Sequence, residues 1–237
     1  MSNWFKVLSF SHQGQKPTQE DAYIIQMDQS TFVICDGVGG SYQGGFAAKF
    51  IVNFIKRNGI KYNNDLISLI HDASFELTKG AFAEKILTET ATTIVLVKII
   101  NDTIFATHLG DSKFIFIPSN SVNSPYISID HSLKNDLIEA GLVSKDNNLK
   151  HVRNIITKYI SNHKNLKPEI EIKKFENCSI GDILLMCSDG ALESYSPSDL
   201  IKFFSDKSTS LEVKWNIFSD DCKKKSKDNS TCILIEF

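Results

Sequence analysis

Residues 31–40 read TFVICDGVGG, and the rest of the chain is best understood from this stretch outward. Residues 32–35 form an apolar, partly β-branched run, which is typical of a strand buried on both faces. The run ends in one carboxylate, Asp36, followed by glycines that let the backbone turn sharply or approach a bound ion. A carboxylate at the end of a buried strand is costly unless it is paired, and a metal ion is a usual partner. From this stretch alone, Asp36 as a metal ligand and Asp36 as a solvated turn residue are equally supported.

The composition describes an ordinary globular protein. The chain has 237 residues, 42% of them hydrophobic and 23% charged, with a net charge of −2. That balance of charges gives no indication of binding to nucleic acid or to an anionic membrane, and no apolar run approaches the length of a membrane span. The five cysteines are an odd number without CxxC spacing, which predicts reduced core residues. We expect a single cytoplasmic domain of residues 1–237 that is monomeric and binds neither nucleic acid nor membrane.

The hydrophobic pattern predicts both helices and antiparallel strands. Phe46, Phe50 and Phe54 recur at every fourth position, which indicates one apolar face of a helix packed on a sheet. Three β-rich runs at 91–100, 103–109 and 113–117 are separated by connections short enough for antiparallel hairpins. Further helices are predicted at 133–140, 198–204 and 211–223, whereas residues 142–168 show no clear order.

Four predicted turns share one design, an acid placed where a strand begins or ends. The four acids are Asp36, Asp111, Asp189 and Asp228. If strand ends bring them together, each carboxylate raises the pKa of the others unless divalent cations neutralise them. Oxygen ligands without a His or Cys cluster select Mg²⁺ or Mn²⁺ over zinc. The adjacent acids Glu20 and Asp21 precede another strand and are explained either as metal-site acids or as an exposed turn; in isolation, the turn is the better supported of the two.

These acids lie in segments that resemble, in order along nearly the whole chain, the motifs of the type 2C metal-dependent phosphatases, which remove phosphate from serine and threonine. The matching segments are Glu20-Asp21-Ala22, Asp36-Gly37-Val38-Gly39-Gly40, Thr90-Ala91-Thr92-Thr93, Leu109-Gly110-Asp111-Ser112-Lys113, Asp130-His131-Ser132, Cys187-Ser188-Asp189-Gly190 and Asp228-Asn229-Ser230-Thr231. Each motif is weak alone, but seven in the right order identify the chain as resembling a bacterial-type member of the family. The implied fold is α+β: a four-layer α-β-β-α sandwich of two antiparallel sheets flanked by helices.

The resemblance also implies a metal site and a reaction. The implied ligands are Asp36 bridging two Mn²⁺ or Mg²⁺ ions, the Gly37 carbonyl, Asp189, Asp228, a water held by Glu20 and, for a third and weaker ion, Asp111. A hydroxide bridging two such ions would attack the phosphorus of a phosphoprotein in line. The implied partners are phosphorylated protein substrates and a cognate serine/threonine kinase whose action the phosphatase reverses in signalling.

Two positions depart from the family pattern. Lys16 stands where the family usually has an arginine that grips the substrate phosphate, and lysine lacks the planar two-pronged donor. The alternative for Lys16 is an exposed loop lysine without a role. Val38 stands where animal members carry a histidine proposed as the leaving-group acid, which leaves that acid unassigned. A metal-bound water is the first candidate; the nearby histidines are His12, His108 and His131.

Two other functions compete with a phosphatase. A pseudophosphatase, acting as a phosphoprotein-binding regulatory module, usually lacks metal carboxylates, and all four acids are present here. A nucleotide-binding loop is excluded because residues 37–45 lack both the third glycine of a dinucleotide fingerprint and the lysine of a phosphate-cradling loop.

Overall fold

The computed structural model describes residues 5–39, 42–59, 65–120, 123–144, 152, 155–163 and 168–237, so Gly40 of the glycine motif and much of 142–168 lie outside it. The strands are β1 (Lys6–His12), β2 (Ala22–Gln26), β3 (Thr31–Cys35), β4 (Gly37–Val38), β5 (Ala91–Thr92), β6 (Ile94–Ile100), β7 (Thr103–Leu109), β8 (Lys113–Ile117), β9 (Tyr126–Ile127), β10 (Ile160–Ser161), β11 (Lys173–Phe175), β12 (Ile183–Cys187) and β13 (Ser230–Glu236). The helices are α1 (Tyr42–Asn58), α2 (Asp65–Ala83), α3 (Leu133–Glu139), α4 (Pro197–Ser205) and α5 (Leu211–Lys225), with short 3-10 helices at Met27–Gln29 and Asp189–Leu192.

The strands form two five-stranded sheets and one small sheet. One large sheet has the order β1-β13-β12-β8-β9, and the other has the order β11-β7-β6-β3-β2. A three-stranded sheet, β10-β5-β4, extends from the residues that follow β3. Every recorded strand pair is antiparallel, as the resemblance implied.

Alternating side chains divide the core into three layers. In β3, Phe32 and Ile34 join the cluster that lies between the two large sheets, together with residues of β8, β12 and β13. Val33 and Cys35 face the other way and pack with α1 and α2. The sheet that contains β12 and β13 has its other face covered by α4 and α5, against which the outward residues of these two strands pack. The predicted four-layer α-β-β-α sandwich is therefore confirmed, and β3 is buried on both faces as predicted.

The helices and cysteines follow the sequence pattern closely. The three later helices begin and end within two residues of the predicted bounds. All five cysteines are free and buried, in agreement with their interpretation as core residues. No helix in the described parts of the chain is long and apolar enough to cross a membrane. That the whole chain is one domain stays a prediction.

Two predictions about the strands after residue 90 were wrong. The run 91–100 is not one strand, because it breaks at Thr93 into β5 of the small sheet and β6 of a large sheet. The connection at 110–112 is not a hairpin, because β7 and β8 belong to different large sheets. Gly110 has a φ of +105° there, and a Cβ at this position would lie 2.6 Å from Thr93 Cγ2. A glycine is therefore needed where the chain crosses between the sheets.

Truncation of Phe32 tests the core between the sheets. Phe32 is fully buried and meets the Phe5 ring edge-on at 5.9 Å between centroids. We expect Phe32→Ala to lower the free energy of unfolding by about 3–5 kcal/mol, measured by equilibrium denaturation. The matched control is Phe82→Ala, because Phe82 is 80% exposed; it should change stability by no more than about 0.5 kcal/mol. Equal effects of the two variants would contradict this description of the core.

Candidate metal centre

The fold brings the four motif aspartates towards one edge of the sandwich. Asp36 follows β3, Asp111 lies between β7 and β8, Asp189 begins the 3-10 helix after β12, and Asp228 precedes β13. Burial raises the pKa of Asp36 well above its usual value, and the charges of Asp21, Asp189 and Asp111 raise it further. The predicted residues therefore influence one another directly. Within the described ranges, however, no three His, Cys, Asp or Glu side chains already stand in the arrangement of a metal ligand set.

The Asp36 backbone is fixed by two threonines. The Asp36 carbonyl accepts hydrogen bonds from Thr93 N and Thr92 Oγ1, each at 2.8 Å. Its own N–H donates to Thr93 Oγ1 at 3.1 Å. That hydroxyl is also 2.8 Å from Ser112 Oγ, in the loop that carries Asp111. The break at Thr93 thus ties the turn after β3 to the crossover between the two sheets.

Two glycines allow backbone segments to meet at the site. A Cβ on Gly37 would lie 2.4 Å from the carbonyl carbon of Gly44, so α1 begins directly against the Asp36 turn. A Cβ on Gly190 would lie 2.1 Å from Asn229 O, so the turn that carries Asp189 passes directly over the start of β13. Because the obstructing atoms are backbone, no side chain fits at either position without moving the chain.

Asp189 and Asp111 both face a cavity of about 430 Å³, which Tyr195 and Pro197 also line. The pKa of each carboxyl is raised to about 6. For both groups the first cause is the loss of water around the carboxyl, and the second is a neighbouring charge: Asp228 for Asp189, and Asp189 for Asp111. These carboxylates are close enough to repel one another and open enough to receive a ligand.

Asp21 lies at the candidate site, although its sequence context favours an exposed turn. It is not part of an exposed turn, because only 4% of its surface is exposed. Its Oδ2 accepts a hydrogen bond from Ser188 Oγ at 2.8 Å, while its buried Oδ1 has no hydrogen-bond partner among the described residues. Burial raises its pKa to about 6, partly opposed by hydrogen bonds from Thr231 and Ser188. Its position beside Glu20 in the matching motif was the available signal.

Lys16 and Glu20 lie at the rim of the site. Lys16 Nζ is 2.9 Å from Asp228 Oδ2, and this hydrogen bond is the main reason that the Lys16 pKa is raised. The charges of Asp189 and Glu20 raise it further. The pKa of Glu20 is raised mainly by burial. Lys16 therefore contacts one of the predicted metal ligands, and it is not a loop lysine without contacts.

Asn229 holds the loop that carries Lys16 and Glu20, and the sequence analysis assigned it no role. Its Oδ1 accepts from Glu20 N at 2.8 Å, and its Nδ2 donates to Gln13 O at 2.7 Å and to Thr18 O at 2.9 Å. Only 3% of the Asn229 surface is exposed. Because it immediately follows Asp228, one short segment supplies both a predicted ligand and the clamp for the opposite loop.

The three histidines near the motifs have other contacts. His12 bonds to Ser219 Oγ at 3.1 Å. His108 and His131 stack on each other at 4.5 Å, and His131 Nδ1 accepts from Gly110 N at 3.3 Å. Burial lowers the pKa of His131 to about 4, so its ring is neutral. None of the three has a hydrogen bond to a motif aspartate among the described residues, and Val38 offers no proton.

The residues present fit an oxygen-preferring divalent cation. The charge of Asp189 raises the pKa of Asp36, so ionising both carboxyls without a counter-charge requires additional free energy. A cation in the same place would remove that requirement and would also satisfy the unpartnered Asp21 Oδ1. The available side-chain donors are carboxylate oxygens without cysteine or histidine, a set that favours Mg²⁺ or Mn²⁺.

Several known proteins that share this architecture are named as phosphatases. Serine/threonine phosphatase Stp1 from Staphylococcus aureus superposes with a TM-score of 0.83 at 26% identity, covering all of this chain and 96% of that one. A Streptococcus pyogenes protein named as protein phosphatase 2C-type is 25% identical over 213 residues, 85% of this chain and 84% of its own length. The catalytic domain of the phosphatase PstP, solved in complex with two manganese ions, shares the fold with a TM-score of 0.78 at 16% identity, over 98% of this chain and 97% of that one. No protein-family model matches the chain.

The fold, the order of the motifs and these relatives agree. In sequence and in fold, the chain is similar to the type 2C protein phosphatases of bacteria.

Replacement of Asn229 tests the clamp on the loop. In Asn229→Ala, we expect the Glu20 amide to exchange its hydrogen about tenfold faster. The Glu20 N–H loses its hydrogen-bond acceptor, and the carbonyls of Gln13 and Thr18 lose their donor. Hydrogen exchange measured by NMR gives this rate, with the Leu96 amide in β6 as an internal reference that should not change. Asn229→Asp is the matched variant, because it keeps an acceptor for Glu20 N; it should protect this amide better than alanine does. Unaltered exchange at Glu20 in both variants would show that the clamp contributes nothing.

Proposed function

We propose that this protein hydrolyses phosphoserine and phosphothreonine in proteins with the help of two divalent cations. The observation that carries the proposal is the meeting of Asp36, Asp189 and Asp111 at one edge of the sandwich, where the charges of Asp189 and Asp111 raise the pKa of Asp36 and the charge of Asp189 raises the pKa of Asp111. A nearby cation would offset the repulsion between these carboxylates, and the family resemblance puts them in the positions of metal ligands.

Asp36, Asp189, Asp228 and the Gly37 carbonyl are the groups that would hold the ions. Two such cations, when bound, supply a hydroxide at neutral pH and positive charge for the phosphate oxygens. Asp36 is well suited to this role because its backbone N–H and carbonyl are both fixed by hydrogen bonds. Asp111 is the candidate for a third ion, because it lies in the adjoining crossover.

Lys16 and Glu20 would act on the phosphate and the attacking water. Lys16 Nζ reaches the rim of the site and supplies a positive charge to the phosphate. The Glu20 carboxylate is held beside it, because its backbone is clamped by Asn229, and would accept a hydrogen bond from a water at the metals. No described side chain is placed as the acid for the leaving serine, so we assign that proton to solvent water. A serine/threonine kinase acting on the same proteins would be the natural partner in signalling.

Hydrolysis of p-nitrophenyl phosphate with Mn²⁺ tests the proposal. We expect wild type to be active and Asp36→Asn to lose at least about 100-fold in kcat/KM, since even residues behind metal ligands commonly cost 10–100-fold in metal affinity. Isothermal titration calorimetry should show weaker Mn²⁺ binding by the same variant, a readout that does not depend on turnover. Asp72→Asn is the control, because Asp72 is exposed on α2.

The same assay separates the enzyme from a binding module. Wild type that hydrolyses neither p-nitrophenyl phosphate nor phosphopeptides with Mn²⁺ or Mg²⁺ would refute the phosphatase proposal. If it then still bound phosphopeptides, it would be a pseudophosphatase.

Lys16→Arg tests the grip on the phosphate. Arginine adds a second, parallel donor, and one further hydrogen bond to a charged group is worth about 1.5 kcal/mol. We therefore expect KM for p-nitrophenyl phosphate to fall about tenfold with little change in kcat. The control is Lys56→Arg, at an exposed position near the end of α1. An unchanged or higher KM in Lys16→Arg would count against contact between this residue and the phosphate.

A further inference from the structure

A groove lies beside Glu20, and none of the four motif aspartates lines it. Its volume is about 430 Å³, and its lining comes from the loop before β2 and from the first turns of α1. The lining residues are Thr18, Gln19, Glu20, Gly45, Phe46 and Lys49. The groove therefore shares one wall, Glu20, with the proposed catalytic site.

The groove lies beside a close contact between α1 and the loop. A Cβ on Gly45 would lie 3.3 Å from Glu20 Cα and 3.4 Å from its Cγ, so helix and loop are in contact there. One turn further along α1, Lys49 is exposed. Phe46 is half-buried and packs against Phe50 at 5.8 Å between ring centroids, which gives the groove an apolar floor that is held in place.

The positive charge in the groove belongs to Lys49, whereas Glu20 carries the negative charge. Among the described residues Lys49 has no ion pair and no hydrogen bond, unlike Lys16, which is bonded to Asp228. Lys49 is nevertheless close enough to Glu20 for its charge to lower the pKa of that carboxyl, against the larger effect of burial. Two lysines thus flank Glu20, one at the reacting centre and one in the groove.

We propose that this groove binds the substrate segment next to the phosphorylated residue and selects an acidic side chain there through Lys49. The inference rests on the proposed function and adds a substrate class to it. A peptide whose phosphoserine occupies the site must continue over the rim, and the groove begins at that rim. Phe46 offers apolar contact to the peptide, and an aspartate or glutamate would give Lys49 the ion pair that it lacks within the described chain.

Pairs of phosphopeptides test the proposal. Each pair is identical except for glutamate or lysine at one position flanking the phosphoserine, and the positions are scanned on both sides. At one or more adjacent positions we expect wild type to prefer glutamate about two- to fivefold in kcat/KM, the size of an exposed ion pair. The preference should disappear in Lys49→Ala and reverse in Lys49→Glu, and added salt should weaken it in wild type.

Two controls separate this role from other effects of charge. Lys56→Glu makes the same charge change at another exposed position of α1 and should keep the wild-type preference. Because Lys49 also acts on the pKa of Glu20, the preference of each protein is taken as the ratio of its kcat/KM values for the two peptides of a pair, so that a common change in the rate of hydrolysis cancels.

The outcomes are distinguishable from those of the proposed function. If wild type fails on p-nitrophenyl phosphate, the phosphatase proposal fails and this one falls with it. If wild type hydrolyses that substrate but shows no glutamate preference, or if Lys49→Ala keeps the preference, the groove proposal alone is overturned.

Discussion

Negative charges that are forced together around Asp36 are the constraint that the rest of the site satisfies. Asp36 is carried to the edge of the core by a strand buried on both faces, and it meets the charges of Asp21, Asp189 and Asp111 there. Burial alone favours the neutral carboxyl, and each neighbouring carboxylate adds to that effect. The folded state tolerates such a group of carboxyls when protons, hydroxyl donors or cations offset the repulsion between them. Ser188 and Thr231 supply donors to Asp21, and divalent cations are the counter-charge that the donor set favours.

The two large sheets meet this constraint through a small number of connections. Thr93 donates a hydrogen bond to the Asp36 carbonyl, accepts one from the Asp36 N–H and contacts Ser112. The turn after β3 is thereby joined to the crossover that leads to the other large sheet. Asn229 performs a similar task on the opposite side, where it joins the start of β13 to the loop ahead of β2. Neither residue needs to touch a substrate. Their effect is to keep backbone segments from different parts of the chain at fixed distances.

Local pattern was sufficient to predict the buried strand β3 and the acids at strand ends, whereas the four layers were expected from the resemblance to a known family. The run at 32–35 is apolar at every position because both of its faces are covered, and Asp36 and Asp189 each follow such a run. The residues that the sequence did not reveal depend on contacts across the chain. Asp21 resembles a turn acid until β13 and the residue after β12 are seen to bury it. In the same way, 110–112 has the length of a hairpin, but the strands on either side of it, β7 and β8, belong to different sheets.

The contact between Gly37 and Gly44 also limits how such a protein can change over generations. A Cβ on Gly37 would lie 2.4 Å from the Gly44 carbonyl carbon, and one on Gly44 would lie 2.8 Å from the Gly37 carbonyl carbon. Since each obstructs the other through backbone atoms, no exchange of sizes between the two positions can compensate for a substitution at either. Any side chain at Gly44 would have to displace the start of α1, and with it Gly45 and the contact with Glu20. Gly44 carries no reactive group, yet we expect a substitution at this position to be tolerated as poorly as a substitution of a metal ligand.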